Sequence, residues 1–246
     1  MHLIGEMTGD QMGIGRDGFY NLLRSNGLLV RKRRNRVVTT NSFHWLRKYP
    51  NLIRDLLATK PNQIWVSDIT YIKTDEGFLY LFLLTDLYSR RIMGWKLADN
   101  MASENAIIAL EQAIEKANGQ VCGTVHHSDR GVQYCSGDYI KILLKNQMKI
   151  SMTENGDPYE NAVAERVNGI LKDEWLCEMK LKNKQQTVEI LNQIIALYNE
   201  NRPHLSLKYQ TPEMVYGGQR ENPIIAPVTC KPRKELKNML VNHGQD

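Results

Sequence analysis

The sequence has no apolar run of the about 18 residues needed to cross a bilayer, although 42% of its 246 residues are hydrophobic. Its first twenty residues lack the charged and then apolar layout of a signal peptide. It also has no internal repeat and no low-complexity tract. We therefore expect a cytoplasmic protein, not a membrane protein, whose packed core forms one large domain or two modest ones.

Cysteine is scarce, with four residues and no CxxC pair. This is typical of a reducing compartment and not of a disulfide framework. A zinc site made of Cys122, His126, His127 and Cys135 is an alternative. However, adjacent histidines in a strand point to opposite faces, so the pattern does not favour zinc.

Acidic residues are rare at the start of the chain. Residues 1–60 contain 11 Lys and Arg against 4 Asp and Glu, a charge of +7, so the remainder carries −2 of the total of +5. Most of the excess is a tract of Arg31, Lys32, Arg33, Arg34 and Arg36, which is too concentrated to bury and fits contacts with phosphates. A solvated linker is the alternative. A basic front end on a slightly acidic body suits a polyanionic substrate.

The order of secondary structure predicts an α/β fold. Helical pieces come first, with Asp17 as a helix cap and Gly27 as the helix end. The predicted strands are 64–71, 78–85, 91–97, 122–127 and 149–152. The predicted helices are 103–119, 136–146 and 187–199, with a short one opening at Thr211. Three antiparallel strands followed by alternating helices and strands indicate a ribonuclease-H-like, three-layer core with a five-stranded mixed sheet.

Three acidic residues stand where folding alone does not require them. Asp68 is in the middle of the first strand, and Asp129 follows the fourth strand at a turn. Glu165 is on a helix that Asp157 is predicted to cap, with Pro158 at its first position. On a helical projection, a polar stripe faces away from an apolar one. The polar stripe comprises Asn161, Glu165, Asn168 and Lys172, and the apolar stripe comprises Val163, Val167, Ile170 and Leu171.

Carboxylates without a set of Cys or His ligands indicate an oxygen-only site for Mg²⁺ or Mn²⁺. Two of the three acids also have a simpler interpretation. Glu165 would lie on a solvated helix face, and Asp68 would be a paired residue on a solvent-facing strand position. Asp86 is a fourth acid, but its neighbours favour a capped turn with a local salt bridge.

Longer motifs around these acids carry a family resemblance. In order from Trp65 to Tyr216 they read WVSDITYI, LLTDLYSRRIMGW, HHSDRGVQY, SMTENGDPYENAVAERVNGILKDE and YNENRPHLSLKYQTPEMVY. With 35 residues between Asp129 and Glu165, the chain resembles the retroviral-integrase (DDE) superfamily. More narrowly, it resembles second-frame transposases of bacterial insertion sequences of the IS-three family. Asp157, Glu160 and Arg166 depart from the family pattern beside the acids, and none replaces an acid.

The resemblance implies a catalytic and metal-binding triad of Asp68, Asp129 and Glu165 with two Mg²⁺ ions, which Mn²⁺ can replace. It implies cleavage at the 3′ ends of an element, followed by transfer of the strand. The expected DNA contacts are Lys172, Asn161, Asn168 and the basic tract.

The same resemblance divides the chain and names its partners. Residues 1–60 resemble a helix-turn-helix segment with a basic arm, 61–216 are the catalytic core with its C-terminal helices, and 217–246 are a basic tail. The implied partners are double-stranded DNA of the element ends and the target, further copies of the chain, and an upstream first-frame product. Bound to DNA, the protein would be with the nucleoid. A structure-selective nuclease of this fold and a retired, DNA-binding transposase are the alternatives.

Overall fold

The computed structural model describes residues 15–28, 44–154 and 161–218. Contacts divide the chain into two units, Met1–Arg36 and Val37–Asp246. In the first unit, α1 spans Arg16–Ser25 with Gly15 at its N-cap position, so the prediction that Asp17 caps this helix is wrong. Asp17 lies in the first turn, where its charge still favours the positive end of the helix. Gly27 follows the helix with a φ of +68°, which suits glycine.

The second unit is built on a five-stranded sheet. Its strands are β1 (Ile64–Thr74), β2 (Gly77–Asp86), β3 (Ile92–Ala98), β4 (Val125–Ser128) and β5 (Lys149–Met152). They lie in the order β3-β2-β1-β4-β5. The first three pair antiparallel, whereas β4 pairs parallel with both β1 and β5. The predicted five-stranded mixed sheet is confirmed.

Helices cover both faces of this sheet. They are α2 (Ser103–Lys116), α3 (Gly137–Lys145), α4 (Ala162–Ile170), α5 (Lys184–Glu200) and α6 (Pro212–Tyr216). A π-helical turn, Leu171–Leu176, continues α4, and a 3-10 turn spans Leu205–Leu207. Within the described ranges, no helix is long and apolar enough to cross a membrane.

Side chains along β1 point alternately to the two faces of the sheet and so belong to two different core layers. Trp65 packs with Leu110 of α2 and Leu143 of α3 in one buried cluster. Ile72, on the other face of the strand, packs with Val167 of α4 and with α5 in a second cluster. The three layers are therefore α2 and α3, the sheet, and α4 with α5, and β1 lies at the centre.

Residues before β1 also pack on this unit. Ala58 is buried, and the backbone N–H of Leu52 donates a hydrogen bond to Ser151 Oγ of β5 at 2.8 Å. Arg54 forms an ion pair with Glu154 at 2.7 Å, just beyond β5. The segment 44–60 thus lies against the carboxyl end of β5.

Candidate active site

Asp68 lies in the middle of β1, the central strand. It is on the same face as Ile72, four residues along, which packs against Val167 of α4. The strand therefore directs this carboxylate toward α4. Asp68 is only half-buried, whereas the preceding residue, Ser67, is buried on the other face.

Asp129 comes directly after β4. In the parallel register of β1 and β4, Val66 is opposite His127, so two residues further along Asp68 stands opposite Asp129. The N–H of Gly131 donates a hydrogen bond to Asp129 Oδ1 at 2.9 Å. A Cβ on Gly131 would lie 3.0 Å from that oxygen, so glycine lets the turn close on the carboxylate.

Helix α4 turns its polar stripe toward β1. Asn168 Nδ2 donates to Asp68 Oδ2 at 2.7 Å, and Asn161 Nδ2 donates to the Ser67 carbonyl at 3.0 Å. Both asparagines are buried, so the stripe is not a solvated face. Glu165 lies about one turn from each of them on the same stripe and is half-buried on the β1 side.

The apolar stripe of this helix packs in the core as predicted, since Val167, Ile170 and Leu171 are buried. Beyond it the chain adopts a π-helical turn, which the sequence pattern does not show. Such turns are frequent at functional sites because they change the direction of side chains. Here Lys172 Nζ donates to Thr70 Oγ1 at 3.0 Å and lies 4.3 Å from the ring centre of Tyr71.

The carboxylates of Asp129 and Glu165 are close enough to Asp68 to affect its protonation. The pKa of Asp68 is raised from 3.8 to about 7, first by burial and then by repulsion from the Asp129 carboxylate. The hydrogen bond from Asn168 opposes these effects, and Glu165 adds a weaker repulsion. A cation bound among the acids would remove the cause of this repulsion.

The donor chemistry of the site fits a hard divalent cation. All three acids supply oxygen ligands, the type that Mg²⁺ and Mn²⁺ prefer. Among the described residues, the buried Oδ1 atoms of Asn161 and Asn168 have no hydrogen-bond partner, so they add two more acceptors beside the acids. Within residues 15–28, 44–154 and 161–218, however, no three Asp, Glu, His or Cys side chains stand close enough together to hold an ion.

The paired histidines have other partners than zinc. His126 Nε2 lies 2.8 Å from both Ser67 Oγ and Tyr139 Oη, and His127 Nδ1 lies 2.8 Å from Ser151 Oγ. Burial lowers the pKa of His126 to about 3, so this ring is neutral. This hydrogen-bond network on the other face of β1 cannot be predicted from the sequence, because the residues that form it are far apart in the chain and match no motif.

Asp86 has the structural role that the sequence predicts. Its Oδ2 accepts hydrogen bonds from the N–H and hydroxyl of Ser89 at 2.8 and 2.6 Å, and its Oδ1 accepts from the Asn62 N–H at 2.8 Å. The expected local salt bridge is replaced by another contact, since Arg90 Nη1 donates to the Leu87 carbonyl. Asp86 therefore caps the turn between β2 and β3.

Some predicted residues lie outside the described ranges. They are the basic tract (Arg31, Lys32, Arg33, Arg34 and Arg36), the predicted cap residues Asp157, Pro158 and Glu160, and residues 219–246 of the tail.

The fold of the second unit is that of an integrase catalytic core. A chain of the simian T-cell lymphotropic virus intasome superposes with a TM-score of 0.57 at 21% identity, covering 78% of this chain and 67% of that one. The HTLV-2 integrase catalytic core domain in complex with magnesium gives a TM-score of 0.50 at 20% identity, covering 64% and 97%. At these identities the likeness shows the ribonuclease-H-like fold.

Sequence comparison shows the family. Two Integrase core domain families match residues 58–158 and 146–212. The uncharacterized 31 kDa protein of insertion element IS600 from Shigella sonnei is 36% identical over 204 residues, covering 82% of this chain and 75% of that protein. The chain belongs to the IS3-type, integrase-core transposases of bacterial insertion sequences, within the retroviral-integrase superfamily.

Two relatives named as transposases support this assignment. The transposase of IS904 from Lactococcus lactis is 37% identical over 166 residues, 67% of this chain. Transposase InsF of IS3fB from Escherichia coli is 35% identical over 184 residues, 74% of this chain. The match spans 65% and 64% of the length of these two proteins.

Proposed function

We propose that the protein cleaves DNA at the 3′ ends of an insertion sequence and joins them to target DNA, with Asp68, Asp129 and Glu165 as catalytic residues. In the first reaction, water breaks a phosphodiester and leaves a free 3′-hydroxyl. In the second, that hydroxyl displaces a strand of the target at its phosphorus. The observation that carries the proposal is the environment of Asp68 in a family of DNA transposases: burial, and then repulsion from Asp129 and more weakly from Glu165, raises the pKa of this carboxyl to about 7.

Asp68, Asp129 and Glu165 would hold two Mg²⁺ ions, which Mn²⁺ can replace. When bound, the ions supply charge compensation at the phosphodiester and activation of the attacking oxygen. In the described part of the chain, the three carboxylates are too far apart to hold one ion together. We therefore expect the binding of metal ions to draw them closer. The metal-bound neighbour is a different protein, at 20% identity.

Other residues of the chain position the acids. The Asn168 amide holds one oxygen of Asp68, and the Gly131 N–H holds one oxygen of Asp129. Each contact fixes the direction in which that carboxylate points. Such support is what a metal-binding carboxylate requires.

We propose that DNA binds over the same surface. Lys172 lies on the polar stripe beyond Glu165, and its ammonium would exchange the Thr70 hydroxyl for a phosphate oxygen. The basic tract from Arg31 to Arg36 would neutralise further phosphates. Asn161 and Asn168 each donate one hydrogen bond to β1, so a DNA contact would use the second N–H of the amide, which suits a phosphate, or the amide oxygen, which needs a donor on the DNA.

The proposed partners are the terminal inverted repeats, the target DNA and further copies of the chain on DNA, with an upstream first-frame product as a further partner. Since this chain matches only about two thirds of two relatives, these partners remain part of the proposal.

The test is a cleavage and joining assay on labelled DNA carrying the ends of the element, with Mg²⁺, Mn²⁺ or EDTA. Asp68→Asn, Asp129→Asn and Glu165→Gln should each lose cleavage and joining and still bind DNA within a few fold, because each keeps the shape and removes one ligand charge. Asp138→Asn, at an exposed position of α3, is the matched control and should remain active. A variant that retains more than about a tenth of wild-type cleavage would remove its residue from the triad.

The products also separate this function from its alternatives. Cleavage without joined products would indicate a nuclease of the same fold. Binding of the ends without cleavage by the wild type would indicate a retired transposase, a reading that the presence of all three acids does not favour.

A further inference from the structure

A short segment, residues 44–48, borders the loop that carries Asp129. His44 Nε2 lies 2.7 Å from the carbonyl oxygen of Arg130, the residue after Asp129. Leu46 packs against the core cluster of α2 and α3. Trp45 stands between these two anchored residues and is 92% exposed. The chain at Trp45 is therefore anchored on both sides next to the Asp129 loop, while the indole has nearly all of its surface in water.

One exposed apolar side chain is common on protein surfaces and indicates nothing by itself. Charge is the second observation. Between His44 and Arg54 the chain has three Lys and Arg and no Asp or Glu. Arg47 and Lys48, two and three residues after Trp45, are both exposed.

Arg47 has a fixed neighbour, and Lys48 lies within electrostatic range of a residue near the acidic loop. The Arg47 guanidinium carbon lies 5.1 Å from the ring centre of Tyr49, which itself packs against the core. Burial raises the pKa of the Cys135 thiol to about 11. The Asp129 carboxylate also raises this pKa, and the Lys48 ammonium lowers it. Lys48 and the acidic loop are therefore close to the same thiol.

We propose that Trp45, Arg47 and Lys48 form a subsite for unpaired nucleotides at the DNA end that is cut, where Trp45 stacks on a base and the two cations contact neighbouring phosphates. The proposal rests on the proposed function and specifies how its substrate is held. In a duplex each base face is covered by the next base, whereas an unpaired base has faces that an indole can cover.

Nucleic acid is the occupant that the charges favour. An aromatic ring beside cations matches the alternation of bases and phosphates in a single strand, and stacking of this kind tolerates any base. An apolar protein surface placed on Trp45 would leave Arg47 and Lys48 without partners of opposite charge. A subsite here would also hold an opened strand next to Asp129 and keep it from pairing again.

Fluorescence can test the stacking without reference to catalysis. The chain has four tryptophans, and Trp65 is fully buried while Trp95 and Trp175 are half-buried. Iodide in water should therefore quench mainly Trp45. Oligothymidylate of about ten nucleotides, within the usual site sizes, should quench the emission in EDTA and protect the remainder from iodide. Trp45→Phe should remove both effects.

Affinity then distinguishes stacking from apolar contact. For oligothymidylate and for a duplex with unpaired thymidines at one end, Trp45→Leu should bind roughly ten-fold more weakly, while Trp45→Phe stays within about three-fold. A blunt duplex should respond less to either change. Leu144→Ala, at another exposed apolar position (59%) on α3, is the matched control and should have no effect. Arg47→Gln with Lys48→Gln should reduce the salt dependence for the single strand by roughly one unit of slope.

The outcomes are separable. If Trp45→Leu binds the forked duplex as tightly as the wild type does, the subsite is wrong and the proposed function stands. If iodide fails to reach Trp45 in the free protein, another part of the chain covers it, and the subsite is again wrong. If the wild type binds none of the three DNA probes, the proposed function fails as well.

Discussion

At the scale of single residues, the charge of Asp68 that the proposed function needs lowers the stability of the metal-free fold. Its pKa is 3.8 in an ordinary setting and about 7 in the fold. Between these values the folded chain keeps a proton that the unfolded chain releases. The free energy of unfolding therefore falls as the pH rises through this window and stays low above it.

Asp68→Asn should consequently stabilise the metal-free protein. Asparagine keeps the size of the side chain and an acceptor oxygen for the Asn168 amide, and it removes the repelled charge. In EDTA, we expect its melting temperature to exceed that of the wild type by a few degrees near pH 8, with a smaller difference near pH 5. Circular dichroism at the two pH values measures this.

The control for this change is Asp138→Asn, since Asp138 is an exposed residue whose ion pair with Lys141 lowers its pKa. It should not reproduce the pattern. Equal melting temperatures of Asp68→Asn and wild type at both pH values would contradict the raised pKa of Asp68. Added Mg²⁺ should stabilise the wild type more than Asp68→Asn, because only the wild type has the full set of charged ligands.

Lys172 has contacts within the fold and is a proposed contact for DNA. Lys172→Ala should weaken DNA binding several-fold, since one phosphate contact is lost. It should also cost about 1 kcal/mol of stability, because the ammonium leaves Thr70 Oγ1 and the Tyr71 ring. Filter binding and urea unfolding measure the two effects.

The control is Lys145→Ala, at an exposed lysine at the end of α3, which should change neither DNA binding nor stability. A variant that melts early and binds DNA normally would make Lys172 a structural residue only.

At the scale of elements, the contact between β3 and α2 depends on one glycine. A Cβ on Gly94 would collide with the Ala109 carbonyl oxygen and lie 3.1 Å from the Ala113 nitrogen. Both atoms belong to helix backbone, which cannot rotate away as a side chain can. A glycine within a strand is a sequence signal for such close approach.

Gly94→Ala should therefore lower the free energy of unfolding by about 3 kcal/mol or more, or prevent folding. Gly137→Ala is the control, because a Cβ there meets nothing within 4 Å. At the first residue of α3, alanine should be neutral or slightly stabilising. Urea unfolding of both variants decides the matter, and similar stabilities would show that β3 and α2 can move apart at small cost.

The elements differ in how well the sequence predicts them. The β5 range, Lys149–Met152, is confirmed at both ends, because a short alternating run stands between the end of α3 and the turn-forming residues 153–156. β4 is predicted from Cys122 but begins at Val125, since Gly123 has a φ of +79° and the chain is still turning there. Apolar composition alone cannot show this positive φ.

The site follows the same division. Asp68 is recognisable because it interrupts a regular strand pattern, whereas Asp129 and Glu165 are recognised through the motifs that resemble the family. The parallel register of β1 and β4 then places Asp68 opposite the residue that follows β4, Asp129. The support around them is less visible. The bond from Asn168 to Asp68 joins residues 100 positions apart, and only the packed fold brings them together. The π-helical turn at Lys172 arises from packing and has no local sequence signature.

At the scale of the whole molecule, charge is arranged along the chain as the substrate requires. The first 60 residues carry +7, and the remaining body carries −2, part of which is the acidic triad. The proposed function assigns DNA binding and cleavage to different charges. Salt should weaken the first strongly, because counterions compete for phosphates. It should have less effect on acids that are partly shielded from water.

The basic tract provides the test of this division. Replacement of Arg33, Arg34 and Arg36 by Gln should weaken binding to a blunt duplex and reduce its slope against log salt by about 2 to 3 units, if all three contact phosphates.

The matched control changes three exposed lysines to Gln, namely Lys141, Lys145 and Lys149. Two of these are on α3, which packs on the face of β1 opposite to Asp68, so the slope should not change. An equal loss of slope in both triple variants would mean that total charge, and not the tract, sets the affinity. An unchanged slope in the arginine variant would make the tract a solvated linker and leave phosphate binding to the catalytic unit.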